Sequence, residues 1–203
     1  MKQLKLQLHR LSALQLAIIL LILGLFIGIF FANVFRNSYQ EQINEYQNTV
    51  FQSVTTKDIN YSGLFTYVLG KNFKEFAYFW MFSITILGIP YMAYKIFSFG
   101  FSAGFFISAV AMNYGFKGIL LILVYIFPHG LIYLPIAMFS LYKGYTLCQT
   151  VYFDNRNYLG SIFKLVKPYL LIILLLAIIL LAGSFLEAYI GAFILKKTLG
   201  LFV

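Results

Sequence analysis

Long apolar runs alternate with short polar joints along this chain. Residues 11–35 carry no Lys, Arg, Asp or Glu, and about 25 residues of helix suffice to cross a hydrocarbon core roughly 30 Å thick. Lys2, Lys5 and Arg10 precede this run and give it the look of a signal peptide. It is too long for that, since a cleavable apolar region has roughly 7–15 residues, so it reads as a retained first helix at about 12–35. Ahead of it Leu4, Leu8 and Leu11 share one stripe above basic and amide side chains, which predicts a short interfacial helix over residues 1–11. Residues 36–72 form the longest polar segment. Tyr39, Ile43, Tyr46, Val50 and Val54 recur there at helical spacing with Glu41, Gln42, Glu45 and Gln47 off the stripe, predicting an extracytoplasmic amphipathic helix. A second short helix is expected around Leu64 to Leu69.

Four more spans follow. The second covers about 73–96, with Phe73, Phe76, Tyr78, Phe79 and Trp80 as an aromatic belt and an interruption at Gly88-Ile89-Pro90. The third, about 99–113, is short, and a tight turn at Asn113 to Gly118 leads to the fourth, about 119–141. Pro128, Gly130 and Pro135 break that one, leaving open a single kinked helix or two half-helices. The fifth runs from about 168 to 195 and is closed by Lys196 and Lys197. The pattern therefore predicts an all-α, polytopic helical membrane protein, a single integral membrane domain over residues 1–203 with the lipid bilayer as its solvent.

Small residues mark where helices can meet. Gly24 and Gly28 are four apart on the first span, and Gly100 and Gly104 lie on close-packing positions of the third. Such pairs let helix backbones approach. The Gly24/Gly28 face is read as an internal packing contact or as the seam of a homodimer.

Composition then excludes whole classes. Hydrophobic residues make up 62% of the 203 and charged ones only 10%, against about 45–50% and about 25% in soluble domains. The mean hydropathy of +0.86 agrees. The net charge of +9 is assigned to basic residues beside anionic headgroups. No nucleic acid is expected, because the 40 aromatic residues lie in or beside apolar runs rather than among basic ones. One cysteine, Cys148, excludes an internal disulfide and a cysteine metal cluster. With the N-terminus inside, Lys and Arg divide 8 to 7 between the two sides. The basic N-terminal tail and the 143–167 loop then favour a cytoplasmic N-terminus and a multi-pass protein of the bacterial cell membrane.

Candidate chemistry is sparse. No zinc- or iron-ligand spacing, phosphate loop or nucleophile elbow is present. No metal, cofactor or catalytic residue is expected. Glu41 and Glu45 read as the solvated face of a helix. His129 and Glu187 are the ionisable residues placed at or near membrane depth, where a charge costs roughly 2.5–3.5 kcal/mol. By helical rise they differ in depth by roughly 10 Å, so a direct pair requires the fourth span to break at Pro128. For His129, a neutral imidazole bridging backbone groups freed by Pro128 and Pro135 competes with a proton relay. Glu187 is also read as capping an interface.

Several landmarks together resemble the stage II sporulation protein M family. They are Gly88-Ile89-Pro90, the run from Gly100 to Phe105, Lys117-Gly118, the run from Pro128 to Pro135, and Glu187-Ala188-Tyr189. Tyr133 stands where the wider family often has Glu, which argues against a carboxylate beside His129 on that turn and for the sporulation branch. The resemblance implies a non-catalytic scaffold that recruits two cell-wall-degrading partners, stage II sporulation proteins D and P, during engulfment of the forespore. Two alternatives stand beside it. The membrane subunit of an ABC-type, permease-like exporter would show a water-accessible cavity lined by His129. An intramembrane hydrolase would need a nucleophile beside His129. Homodimerisation through the first helix is compatible with each.

Overall fold

The computed structural model describes residues 13–42, 44, 45, 49, 58–154 and 162–199. The expected interfacial helix at 1–11, and Ile43, Tyr46, Val50 and Val54 of the amphipathic stripe, lie outside these. The described chain is helical: α1 (Ala13–Val34), α2 (Tyr61–Ser83), α3 (Gly88–Ile126), α4 (Gly130–Gln149), α5 (Ile162–Phe185) and α6 (Ala192–Leu199), with π-helical turns at Thr150–Asp154 and Leu186–Gly191. Four stretches are long and apolar enough to cross a membrane, Ala13–Val34, Gly88–Leu120, Gly130–Tyr152 and Lys164–Leu199.

The middle of the chain differs from expectation. The helix expected at 73–96 ends at Ser83 and the next begins at Gly88. Pro90 lies in the first turn of α3, where its missing N–H takes no helical bond away, so it starts a helix instead of interrupting one. The short helix expected at 64–69 is the first part of α2, whose N-terminus is capped by Asn60 accepting from the Gly63 N–H at 3.0 Å. Of the expected aromatic belt, Phe73 and Tyr78 are exposed, whereas Phe76 and Trp80 are buried in the core. The turn expected at Asn113 to Gly118 is found at Gly115, which bends α3 between the expected third span and the first third of the fourth.

Gly115 has φ 57° and ψ −140°, a conformation essentially reserved for glycine. A Cβ on Gly118 would lie 2.7 Å from the carbonyl oxygen of Val110, whereas eight residues of straight helix rise about 12 Å. The chain therefore doubles back at Gly115, and the arm 116–126 returns along the end of α3. After Phe127, Pro128 and His129 the chain restarts as α4. The expected break is thus a boundary between two helices. Pro135 lies inside α4 without ending it.

Two packing units build the bundle. In the first, α1 lies parallel to α3. A Cβ on Gly24 or Gly28 would overlap the carbonyl oxygens of Phe97 or Phe101, and one on Gly100 or Gly104 would overlap those of Leu21 or Leu25. The four glycines thus form a reciprocal seam in which each helix fills the other's groove. Asn33 donates to Ser108 Oγ at 3.2 Å at one end of the seam. Beyond it, Tyr39 packs on Phe105 and donates to the Ala32 carbonyl. Burial pushes the Tyr39 phenol up in pKa, against the opposing charge of Arg36. In the second unit, Phe76 and Trp80 of α2, Ile136 and Leu147 of α4, Val151, and Leu176 and Leu180 of α5 make the apolar core. Gly88 joins the units, with the Cys148 sulfur 3.1 Å from where its Cβ would be.

Candidate functional site

Asn72, Tyr133, Ser184 and Glu187 come from α2, α4, α5 and the π-turn that follows it. Parallel packing of α2 on α4 sets the register. Asn72 meets Tyr133 at one level, and Ser83 meets Gly144 eleven residues further along both helices. On α5, Gly183 supplies the space for the Tyr133 ring, whose edge would lie 2.6 Å from an added Cβ. Local geometry supplies the carboxylate. The helix widens to a π-turn at Leu186–Gly191, an irregularity that recurs at functional sites.

The polar atoms converge. Asn72 Nδ2 donates to the Tyr133 hydroxyl at 2.6 Å and lies 3.3 Å from Ser184 Oγ and 3.5 Å from Glu187 Oε2. Tyr133 donates to Glu187 Oε2 at 2.8 Å and lies 3.2 Å from Ser184 Oγ. Ser184, fully buried, also donates to the Leu180 carbonyl at 2.9 Å. The result is a cross-helix network around one carboxylate, and such networks hold elements in a unique register when their members are satisfied. The His129 ring packs edge-on to Tyr133 with centroids 5.7 Å apart, and His129 is 7% exposed.

His129 and Glu187 thus occupy one cluster, bridged by Tyr133. Their estimated separation in depth assumed continuous helices. The restart at Gly130 and the π-turn remove that assumption. Tyr133 does not separate His129 from a carboxylate; its hydroxyl brings one from another helix. Asn72 and Ser184 were not singled out in the sequence, although the three-residue spacing of Ser184 and Glu187 put them on one helical face. Gly24, Gly28, Gly100 and Gly104 lie in the α1–α3 seam, on helices that carry none of this cluster's hydrogen-bonded members. Pro128 and Gly130 flank His129 at the restart. Pro135 lies two residues past Tyr133, and Pro90 at the start of α3 is not part of the cluster.

Chemically, the cluster can accept and share protons and join helices. Among the described residues no three His, Cys, Asp or Glu side chains gather to hold a metal. Two surface clefts lie elsewhere: an apolar one beside Phe26, Phe30 and Asn33, and a polar one lined by Gln40, Asn44, Met112, Asn113 and Tyr114.

No curated protein matches the chain, and no solved structure does. The family model of stage II sporulation protein M matches residues 17–191, a range that runs from α1 through the π-turn carrying Glu187. With most of its length covered, and with apolar helices of membrane-spanning length, the chain belongs to the stage II sporulation protein M family and is a sporulation-related, multi-pass membrane protein.

Proposed function

We propose that this protein is the membrane-embedded scaffold of a peptidoglycan-degrading complex, recruiting stage II sporulation proteins D and P during engulfment. It would be an anchoring component without catalysis of its own. The observation that carries this reading is the hydrogen-bonded cluster of Asn72, Tyr133, Ser184 and Glu187. These polar groups are engaged with one another across helices, as expected of a rigid platform. In this reading five helices cross the cell membrane, with α2 as the fifth, and the N-terminus is cytoplasmic. Deletion of the gene in its sporulating host should then stall the engulfing membrane at the septum, as seen by fluorescence microscopy with a membrane dye. Completed engulfment in the deletion strain would overturn the reading.

One observation favours the exporter reading, the interrupted backbone at Phe127–His129 between the returning arm and α4, because irregular backbone at depth lines cavities in transporters. The two readings part at His129. An exporter predicts that His129→Cys, in a Cys148→Ser background, is labelled by a water-soluble thiol reagent. The scaffold predicts protection.

A further inference from the structure

The outward face of α2 carries charge where a membrane helix should not. Lys71, Lys74 and Glu75 are exposed there, on the side opposite the buried Phe76 and Trp80. Glu75 pairs with Lys95 of α3 at 2.5 Å, the two side chains 56% and 36% exposed. Lys74 lies over the ring of Tyr78 and Lys95 over that of Tyr91.

Register fixes the depth. Asn72 pairs with Tyr133 and Ser83 with Gly144, so Glu75 stands level with Ile136, roughly 9 Å inside the start of α4. Gly88 packs on Cys148, so Lys95 stands roughly 10 Å inside the other end of the bundle. Both ends of the ion pair therefore lie within the thickness of the apolar span Gly130–Tyr152. Charged side chains at such depth face protein or water rather than lipid, yet this pair is on the exterior.

We propose that the face around Lys71, Lys74, Glu75 and Lys95 docks a partner's transmembrane helix that carries a carboxylate level with Lys74 and Glu75, roughly 8–9 Å inside its span. Charge selects this occupant. Glu75 is the one acid in α2 and α3, set against Lys95, against Lys74 roughly 8 Å inside the start of α4 and against Lys71 roughly 3 Å inside it, so the face keeps an excess of two positive charges toward that end. A carboxylate on the incoming helix complements that excess and removes the ion pair from lipid. A second copy of this chain would oppose two like-charged faces. A phospholipid headgroup stays at the interface, where it meets Lys71 but falls short of the Glu75–Lys95 pair. The proposal names the chemistry of a partner for the scaffold proposed above and rests on that reading.

The test uses the full chain in lipid nanodiscs, labelled with a fluorescence donor, and a synthetic leucine-rich transmembrane helix labelled with an acceptor. The helix carries Asp, Leu or Lys roughly 9 Å inside one end of its apolar stretch. The Asp helix is expected to bind about tenfold more tightly than the Leu helix, the scale of a good interhelical polar contact, and the Lys helix more weakly than either. Lys71→Met with Lys74→Met should abolish the preference for Asp while leaving the Glu75–Lys95 pair and the fold in place. Equal binding of the Asp and Leu helices would overturn the proposal. So would binding governed by the anionic-lipid content of the disc, or a chain that dimerises through this face and excludes the Asp helix. Because the probe is synthetic, these outcomes are independent of whether proteins D and P are the natural partners.

Discussion

Substitution of Gly28 by Ala should be costly in proportion to how closely α1 and α3 approach. The added methyl would overlap the Phe101 carbonyl oxygen and lie 2.9 Å from the Phe105 nitrogen. Both are backbone atoms, which cannot rotate aside as a flexible side chain would. The helices must part, and a gap of 0.5–1 Å forfeits about a quarter to a half of each dispersion contact along the seam. Overpacking of this kind costs about 1–3 kcal/mol. Ala also gains about 1 kcal/mol of helix propensity over Gly, which would mask part of that cost. Gly70→Ala removes the ambiguity. Gly70 lies inside α2 with nothing within 4 Å of an added Cβ, so it gains the same propensity without the clash. The difference between the two variants, measured by steric trapping in bicelles, should therefore be about 1–3 kcal/mol. Gly24→Ala combined with Gly28→Ala should cost less than their sum, because helices already parted by one methyl accommodate the second. A Gly28→Ala variant as stable as Gly70→Ala would refute the close-packed seam.

Three further outcomes follow from the side-chain geometry. Tyr133→Phe removes the hydroxyl that accepts from Asn72 and donates to Glu187, and should destabilise the fold by about 1–3 kcal/mol in the same unfolding assay; Asn72→Ala added to it should cost little more. Lys95→Met alone leaves the Glu75 carboxylate unpaired at membrane depth, so adding Glu75→Gln should restore part of the loss, with a coupling of about 1–2 kcal/mol in a double-mutant cycle. Cys148 is 1% exposed and lies 3.6 Å from the Thr85 carbonyl, so it should resist thiol reagents in folded protein from either side. Its silence says nothing about orientation, and topology is better read from Glu41→Cys in a Cys148→Ser background, which a membrane-impermeant reagent should label on intact cells if the N-terminus is cytoplasmic.

The legibility of the chain follows its charge. The end of the first helix could be read to within a residue, expected at 35 and found at Val34, because an uninterrupted apolar run leaves no competing assignment. The second helix was expected in the wrong frame, at 73–96 after a short helix at 64–69, and is found at Tyr61–Ser83, because Lys71 and Asn72 look like a polar joint in one dimension. In three dimensions Phe76 and Trp80 anchor it in the core. Gly24, Gly28, Gly100 and Gly104 announced close packing, yet spacing within one helix does not say which other helix fills the groove. The cluster was legible only as two separate residues. His129 and Glu187 meet through Tyr133 because the chain restarts at Gly130 and widens at Leu186, and neither break in helical rise leaves a periodic signature.

A scaffold is defined by what it holds. Affinity purification of the tagged protein from sporulating cells after mild solubilisation, with immunoblotting for stage II sporulation proteins D and P, tests that role most directly. Both partners should be recovered with the wild-type chain and lost when Gly24 and Gly28 are both replaced by Leu. Recovery of an ATPase, with neither wall hydrolase present, would contradict it.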